Sequence, residues 1–253
     1  MNYDDFLKRI KEIKDMGYVK SHRKGDTGIG KTLEDLLGIT ENNIAGPDFG
    51  VYELKSGRKD SVSMLTLFTK TPMPKGAILN LLEAYGYKQR KDVRDSSQRK
   101  MVEYVDVKSA ERDDVPVSEK ELHVTADAVK KNSVGLILKI EDNRIYISDD
   151  KGVEAYYEES VLKEAFEKKY AKLIYVSAAC RKENGQELLW FDEAYRLEGF
   201  SYERFSELVG KGVIKLDLRV GHYPDGRLHD HGTGFRVLPR YLPQCFEKIE
   251  KIL

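Results

Sequence analysis

The spacing of apolar residues predicts helices in both halves of the chain. Near the start, Phe6, Ile10 and Ile13 recur every three to four residues, which predicts a helix over about 2–16 that ends at Gly17. The same periodicity predicts further helices at 30–37, 77–85, 158–170 and 201–212. Many of the remaining apolar residues follow a shorter period, so helices account for only part of the chain.

Alternating or β-branched stretches predict strands between these helices. The predicted strands are 51–56, 63–70, 101–108, 120–126, 134–141, 143–148, 172–179, 213–220 and 236–238. A hairpin turn is predicted at 141–143, a turn-rich loop at 221–235, and the pattern at 188–200 does not distinguish helix from strand. Strands interspersed with helices predict a mixed α/β fold.

Length and composition limit the class of protein. The 253 residues allow one large domain or two small ones, and we predict a single domain over 1–253. Hydrophobic residues make up 40% and charged residues 34%, as in globular proteins. No run of about 18 apolar residues is present, and the acidic start is unlike a signal peptide, so no membrane span is expected. Cys180 and Cys245 are therefore expected to be reduced thiols in a cytoplasmic protein.

The distribution of charge is more informative than its sum. The formal net charge is zero, which neither favours nor excludes nucleic acid. Two basic runs, 20–24 and 88–100, have the composition of segments that contact phosphates. The same composition is typical of solvated loops, so both interpretations stay open.

A glycine-rich stretch at 25–32 has the pattern G-x-x-x-x-G-K-T, which matches the phosphate-binding loop of nucleotide triphosphatases. That loop requires a buried strand directly before it, and only Tyr18 and Val19 are apolar in the segment MGYVKSHRK. The best candidate for the second motif, VGLILKIED, is interrupted by Lys139. We therefore expect no nucleotide cofactor, and interpret the glycines as a turn and helix start capped by Asp26 or Thr27.

An acidic group follows in the segment AGPDFGVYELKS. Residues two apart share a face of a strand, so Glu53 and Lys55 are predicted to point the same way. Asp48 can join them only if the chain bends after Pro47, and Glu34 on the preceding helix is a possible third carboxylate. The alternative interpretation is a surface strand with a salt bridge between Glu53 and Lys55.

This set of residues suits metal-dependent hydrolysis of a phosphodiester. Mg²⁺ prefers hard oxygen ligands, which Asp48, Glu53 and the backbone carbonyl of Leu54 can supply. A metal ion neutralises charge on the phosphoryl oxygens and generates hydroxide from water. Lys55 can orient or deprotonate that water, or stabilise the developing charge.

The pattern P-D-x4-E-x-K with an upstream helical Glu is the motif of the PD-(D/E)xK nuclease superfamily. The segments RKGDTGIGKTLEDLL, AGPDFGVYELKS, LTLFTKTP and DLRVGHYPDGRLHDHGTGFR resemble the MvaI and BcnI restriction endonucleases, which are relatives of the nicking repair enzyme MutH. The resemblance extends over about 20–80 and 170–238 and is weak from about 88 to 165. The motifs are more similar to those of MvaI than to those of BcnI.

The resemblance implies a mixed central sheet flanked by helices, with two lobes around a DNA cleft. It implies a catalytic lobe at about 1–85, a variable β-rich region at about 86–170, and a segment at about 171–253 that completes the core and recognises DNA. The implied enzyme is a monomer that uses Mg²⁺, or Mn²⁺ in its place, to nick each strand of double-stranded DNA in turn. Its implied site is a CC-N-GG pseudopalindrome, CCWGG by similarity to MvaI, and a cognate DNA methyltransferase would accompany it.

The resemblance also implies roles for individual residues. Asp48 and Glu53 become metal ligands, Lys55 the catalytic lysine, and Glu34 the accessory carboxylate on the helix that the glycine loop begins. Lys31 and Lys70 are further candidates to face the same site or a DNA phosphate. The implied DNA-recognition residues are Asp217, Arg219, His229, Asp230, His231 and Arg236.

These recognition residues suit a site rich in guanine and cytosine, because Arg pairs with guanine O6 and N7 and carboxylates accept from cytosine N4. Two alternatives compete. Asp217 and Arg219 could form a structural salt bridge on one face of a strand, and His222, His229 and His231 could bind zinc. For the whole chain, the alternatives are a MutH-like nicking repair enzyme, a non-catalytic DNA-binding relative and a phosphate-loop nucleotidase.

Overall fold

The structure, a computed structural model, describes residues 1–39, 50–59, 61–88, 116–167, 172–223 and 225–253. The helices in these ranges are α1 (Tyr3–Asp15), α2 (Gly28–Leu37), α3 (Ala77–Tyr85), α4 (Glu159–Glu167), α5 (Tyr202–Gly210) and α6 (Leu242–Cys245). The strands are β1 (Val19–Lys20), β2 (Glu53–Arg58), β3 (Leu65–Thr69), β4 (Tyr87–Lys88), β5 (Lys120–Ala126), β6 (Ile137–Glu141), β7 (Arg144–Ser148), β8 (Tyr156–Glu158), β9 (Lys172–Glu183), β10 (Gln186–Glu198), β11 (Ile214–His222), β12 (Leu228–Asp230), β13 (Gly234–Val237) and β14 (Lys248–Lys251). Helices and strands are mixed along the chain, which confirms the predicted fold class.

The chain divides into two compact units. The first comprises 1–65, 160–208 and 237–253 and is built on a sheet of order β1-β10-β9-β2, with β14 also paired to β10. β2 runs parallel to β9, whereas β9, β1 and β14 are antiparallel to β10, so the sheet is mixed. Within the described ranges β9 is the one strand that pairs with β2, which places β2 at an edge.

Two faces of this sheet have different environments. Leu54 lies opposite Ile174 on a face that α1 and α2 cover. The core between them contains Phe6, Ile10, Ile13, Ile29, Leu33, Leu37, Leu54, Ile174 and Val176. Lys55 lies opposite Tyr175, and Tyr175 opposite Tyr195, on the other face. The alternation along β2 therefore places Leu54 in the core, and Glu53 and Lys55 on the opposite side of the strand.

Helix α1 shows why the N-terminal pattern folds as predicted. Its side chains Phe6, Ile10 and Ile13 are at most 1% exposed, as the spacing requires for one buried face. The first turn is closed by a capping box, in which Asp5 N–H donates to Asn2 Oδ1 at 2.8 Å and Asn2 N–H donates to Asp5 Oδ2 at 3.4 Å. The helix ends at Asp15, close to the predicted stop before Gly17.

The second unit comprises 66–159 and 209–236. Its larger sheet has the order β3-β13-β11-β5-β4 with β12 paired to β11, and its smaller sheet has the order β6-β7-β8. Asp142 and Asn143 connect β6 to β7 with φ angles of 48° and 59°, the left-handed conformation of a tight hairpin turn. This turn lies where the sequence predicted one.

Several sequence predictions need correction or stay untested. The ambiguous segment 188–200 lies largely in strand β10, and the predicted loop 221–235 contains the short strand β12. β10 pairs with β9 and also with the distant strands β1 and β14, and β12 pairs back onto β11 just before it, so pairing rather than apolar periodicity determines both strands. The predicted strand 101–108 lies outside the described residues. The division into segments 1–85, 86–170 and 171–253 stays a prediction. No helix in the described ranges is long and apolar enough to cross a membrane.

Candidate active site

Glu53 and Lys55 meet on the face of β2 opposite the one that α1 and α2 cover. Lys55 Nζ donates to Glu53 Oε1 at 2.6 Å, and the carboxylate side chain is only 3% exposed whereas the lysine side chain is 29% exposed. The two-residue period of the strand produces this contact, as the sequence predicted. Within the described ranges, β2 is the last strand of its sheet.

Burial of this carboxylate is not explained by stability. Removing a carboxylate and an ammonium from water costs several kcal/mol per ion, and their attraction often only balances that cost. An apolar pair at these positions would extend the contacts of Leu173 and Leu197, which are buried on the same face. A buried Glu-x-Lys pair at a sheet edge is therefore a candidate functional site.

The third predicted carboxylate, Glu34, is half-buried on α2. The apolar side of α2, including Leu33, packs in the core with Leu54, so the helix lies against the face of the sheet opposite Glu53. Asp48 lies outside the described residues. The combination of Asp48, Glu34 and Glu53 in one site therefore stays a prediction.

Arg58 connects the glycine-rich stretch to β2. The guanidinium forms a two-pronged ion pair with Glu187, with N–O distances of 2.8 and 2.9 Å, and also donates to the carbonyl of Gly25 at 3.0 Å. A longer contact of 3.4 Å reaches the carbonyl of Asp26. Glu187 hydrogen bonding is the largest cause that raises the pKa of Arg58. The loop before α2 is thus held at the end of β2.

The start of α2 differs from a phosphate-binding loop. The strand before it, β1, is two residues long and antiparallel to β10, whereas the phosphate loop follows a buried parallel strand. Thr27 occupies the N-cap position as expected, but its side chain makes no capping hydrogen bond. A Cβ on Gly28 would lie 2.2 Å from the carbonyl oxygen of Arg23, so this position needs glycine for close backbone packing.

Lys31 forms an ion pair within its own helix. Its Nζ lies 2.8 Å from Asp35 Oδ1, and His22 Nδ1 lies 2.9 Å from Asp35 Oδ2. The hydrogen bonds from Lys31 and then from His22 lower the pKa of Asp35. A contact of Lys31 with a phosphate or with the Glu53 site stays a prediction.

The predicted recognition residues of the second unit form a charged cluster on β11. Arg219 Nε donates to Asp217 Oδ2 at 2.6 Å, and Arg236 Nε lies 2.9 Å from the same oxygen without hydrogen-bond alignment. Thr125 Oγ1 donates to Asp217 Oδ1 at 3.1 Å. The Asp217–Arg219 salt bridge that the sequence left as an alternative is therefore present, extended by Arg236. The Arg219 side chain is 47% exposed, so it remains accessible to a ligand.

Aromatic rings continue from this cluster along the loop. Tyr223 stacks on His229 with ring centroids 3.9 Å apart, His229 lies 3.8 Å from His231, and His231 meets His123 edge-on at 5.6 Å. Burial is the largest cause that lowers the pKa of both His123 and His231. Among the residues that the structure describes, no group of three or more His, Cys, Asp or Glu side chains is placed to hold a metal ion.

Asp230 and Lys70 have structural contacts. Asp230 Oδ1 accepts from the backbone N–H of Gly232 and Thr233 at 3.0 and 2.6 Å, and so shapes the turn before β13. Lys70 donates its backbone N–H to the carbonyl of Thr233 at 3.0 Å and belongs to the second unit. DNA-binding roles for both residues stay predictions.

Sequence reasoning missed residues of β9 and β10 that lie on the same face of the sheet as Lys55. Tyr175 and Ser177 of β9 and Glu193 and Tyr195 of β10 lie in register with β2 and line a cavity of about 540 Å³ in the first unit. The alternation in KLIYVSAA contains a weak signal, because Tyr175 and Ser177 occupy one phase and Ile174 and Val176 the other. Sequence alone does not show that Tyr175 and Ser177 lie opposite β2.

Comparison with known proteins supports the same interpretation. The family model described as the MvaI/BcnI restriction endonuclease family matches residues 7–246. The chain is similar to "Restriction endonuclease MvaI-cognate DNA substrate complex", with 27% identity, a TM-score of 0.78 and coverage of 100% of both chains. It is also similar to "Restriction endonuclease MvaI in the absence of DNA", with 26% identity, a TM-score of 0.54, and coverage of 100% of this chain and 99% of that one. No curated protein matches the chain.

Proposed function

The chain belongs to the MvaI/BcnI restriction endonuclease family, and from that premise we propose that it cleaves double-stranded DNA at a CC-N-GG site with the help of Mg²⁺. The proposed site is CCWGG, because the sequence motifs are more similar to those of MvaI. The proposed enzyme acts as a monomer that nicks each strand in turn. A cognate methyltransferase would protect the host's own sites.

The observation that carries this proposal is the buried carboxylate of Glu53 in contact with Lys55 at the edge of β2. Hydrolysis of a phosphodiester requires groups that neutralise and orient charge at one phosphate. A carboxylate, an ammonium and an accessible sheet edge supply such an arrangement. Glu34 and Asp48 complete the proposed constellation.

The chemistry of the donor set fits Mg²⁺. Glu53, Asp48 and the backbone carbonyl of Leu54 are hard oxygen donors of the kind that Mg²⁺ prefers, and Glu53 is held on a rigid strand. When bound, the ion would neutralise charge on the phosphoryl oxygens and lower the pKa of a coordinated water. Mn²⁺ has similar ligand preferences and is expected to substitute.

Lys55 has a distinct proposed role. Its ammonium group is oriented by Glu53 Oε1 at 2.6 Å while 29% of the side chain remains exposed. It can donate a hydrogen bond to a phosphoryl oxygen or orient the attacking water. The contact with Glu53 restricts the lysine to the side of β2 that faces the substrate.

The second unit supplies the proposed base recognition. Arg219 is the more exposed arginine of the Asp217 cluster and can form two hydrogen bonds with guanine, while Asp217 holds it in place. Arg236, with 11% of its side chain exposed, supports Asp217 from the other side. His229 and His231 extend this polar surface along the loop. Asp230, Lys31 and Lys70 are proposed to contribute further DNA contacts.

The experiment that tests the function is digestion of a plasmid of known sequence by the wild-type protein, followed by sequencing of the ends. We expect discrete fragments with ends at CCWGG when Mg²⁺ or Mn²⁺ is present, and none with EDTA. Glu53→Ala should lower the cleavage rate by several powers of ten, about 4 kcal/mol or more of transition-state stabilisation, while site DNA is still bound. Glu12→Ala, an exposed substitution on α1, is the matched control and should cut normally.

Other outcomes separate the alternatives. Cleavage that persists in purified Glu53→Ala would contradict the active-site assignment. Nicks in only one strand of each site would favour a MutH-like repair enzyme. Specific binding without cleavage under either metal would favour a non-catalytic relative.

A further inference from the structure

A cavity lies next to β2 on the side of the sheet that carries Lys55 and Tyr175. It has a volume of about 540 Å³, lies within the first unit, and begins at Tyr175, the residue directly opposite Lys55 in the parallel β2–β9 pairing. Lys59, just after the end of β2, lines its far side. The cavity therefore adjoins β2 through Tyr175, the strand partner of Lys55, and through Lys59.

Tyr175 is seated against β2 by a glycine. A Cβ on Gly57 would lie 2.5 Å from the Tyr175 hydroxyl, so the phenol occupies the space that any other side chain at this position would fill. Burial raises the pKa of Tyr175 to about 12, with a smaller contribution from Tyr195. The phenol therefore stays protonated at neutral pH and can donate a hydrogen bond beside Lys55.

The charges around the cavity leave it receptive to anions. Glu193 is the one carboxylate in its lining, and Lys251 and Lys59 approach its oxygens at 3.1 and 3.5 Å. Their proximity lowers the pKa of Glu193, with the Lys251 hydrogen bond as the largest cause. Arg240 lines the opposite wall and is exposed. The lining thus combines a neutralised carboxylate with a phenol and a guanidinium that are available to a ligand.

Part of the lining is apolar, and some of these side chains are open to solvent whereas Leu242 is buried. Val62 is 84% exposed and Ile249 is 50% exposed, and Leu242 and Pro243 complete this wall. An isolated inorganic anion would gain nothing from these groups. A nucleic acid strand has both parts, because its deoxyribose rings are apolar on their faces and its phosphates alternate with them.

We propose that this cavity binds the sugar-phosphate backbone of the cleaved DNA strand next to the scissile phosphate. Tyr175 and Arg240 donate hydrogen bonds to the oxygens of that neighbouring phosphate, and the wall formed by Val62, Leu242 and Ile249 contacts the deoxyribose. Successive side chains on one face of a strand are about 6.6 Å apart. The Tyr175 phenol lies above Gly57, so it is one such step from Lys55 along β2. The proposal rests on the proposed function, because it assigns the cavity to the same substrate.

Two variants test the contacts separately. Tyr175→Phe keeps the ring and removes only the hydroxyl, and Arg240→Gln removes one exposed cation. We expect each to lower the single-turnover cleavage rate per site or the affinity by about 10- to 100-fold, as for a hydrogen bond to a charged group. Arg240→Gln should also reduce the slope of log Kd against log salt concentration by about one, as expected when one phosphate contact is lost. Lys11→Gln, on the exposed side of α1, is the matched control and should change neither quantity.

Single methylphosphonate substitutions in the site duplex identify the phosphate, with binding measured on Glu53→Ala protein so that the DNA stays intact. Removing the charge next to the scissile phosphate should weaken binding by Glu53→Ala protein but not by the same protein carrying Arg240→Gln.

If Tyr175→Phe and Arg240→Gln both behave like Lys11→Gln, the cavity assignment is wrong, while loss of cleavage in Glu53→Ala would still support the function. If the wild type neither binds nor cuts site DNA, both proposals fall. Should Tyr175→Phe fold poorly, Arg240→Gln decides the question alone.

Discussion

Two strands of this molecule carry the same local pattern with different surroundings. Glu53 and Lys55 on β2, and Asp217 and Arg219 on β11, are each an acid and a base two residues apart, with 2.6 Å between the charged groups. In both pairs the carboxylate is nearly buried, at 3% and 8% side-chain exposure, and the cation is more exposed. Distance and burial alone therefore do not distinguish a catalytic pair from a structural one.

Their positions in the sheets do distinguish them. β11 lies inside its sheet between β13 and β5, and Asp217 is approached by Arg236 and Thr125 from the two neighbouring strands. Within the described ranges β2 has one neighbour, β9, and its other side is an edge. Asp217 therefore has a neighbouring strand on each side, whereas Glu53 has one on one side only among the described strands. The first arrangement suits the proposed recognition role of Arg219, and the second suits the proposed catalytic role of Glu53 and Lys55.

The largest expected effect tests the two cations against each other. Lys55→Gln should lower the single-turnover cleavage rate by about 100- to 1000-fold, because a donor to developing phosphoryl charge is lost. Arg219→Gln should leave the rate on bound DNA nearly unchanged and instead weaken site affinity by about 10-fold, with reduced discrimination at one base pair. Rates measured at saturating enzyme and affinities measured on uncleaved DNA separate these effects. Equal rate losses in both variants would mean that the two pairs have the same role.

The next effect concerns the two carboxylates and is measured as stability. Asp217→Asn should lower the free energy of unfolding by about 3 kcal/mol, because Arg236 has only 11% side-chain exposure and would lose its counterion. Glu53→Gln should change it by less than about 1 kcal/mol, because Lys55 is exposed enough to regain water. Urea unfolding of both variants checks the contrast. If Glu53→Gln lowered the free energy of unfolding more than Asp217→Asn does, the Glu53–Lys55 pair would be the structural pair, contrary to its proposed catalytic role.

The smallest effect is a pH dependence confined to the second unit. Burial lowers the pKa of His123 and His231 below the ordinary 6.5, so the folded protein holds fewer protons than the unfolded chain just below that pH. The contribution of these neutral histidines to the free energy of unfolding is present above pH 6.5 and is lost as the pH falls. The loss is at most about 1.4 kcal/mol per pH unit for each histidine. His123→Gln should flatten the decline measured between about pH 7.5 and 5.5. An unchanged slope would exclude His123 as a contributor.

The sequence was most informative where structure is local. Helix α3 has the predicted bounds 77–85, and the left-handed Asp142 and Asn143 form the predicted hairpin turn. The two-residue period of a strand was enough to place Glu53 beside Lys55. Periodicity and turn chemistry act over a few residues, so they can be recognised without knowledge of the fold.

Contacts between distant segments could not be predicted in this way. Arg58 pairs with Glu187 across 129 residues, and Trp190 donates to the carbonyl of Lys14 across 176. Strand β10 had no clear local signal because its form is decided by β9, β14 and β1 together. Tyr175 looked like one more residue of an apolar strand until the register placed it opposite Lys55. Such contacts depend on topology, which short sequence patterns do not encode.

The parallel pairing of β2 with β9 has a consequence for the order in which the enzyme becomes active. Residues 53–58 hydrogen bond with residues 173–178, so the catalytic strand has no partner until the second half of the chain has been synthesised. The core around α1 and α2 likewise requires Phe191 and Ala194. Pairing over such sequence separation forms slowly, and during synthesis it must wait for the later segment. A nascent chain that ends before β9 therefore carries the proposed nuclease motif without the strand that pairs with it, and the proposed cleavage must wait for that later segment.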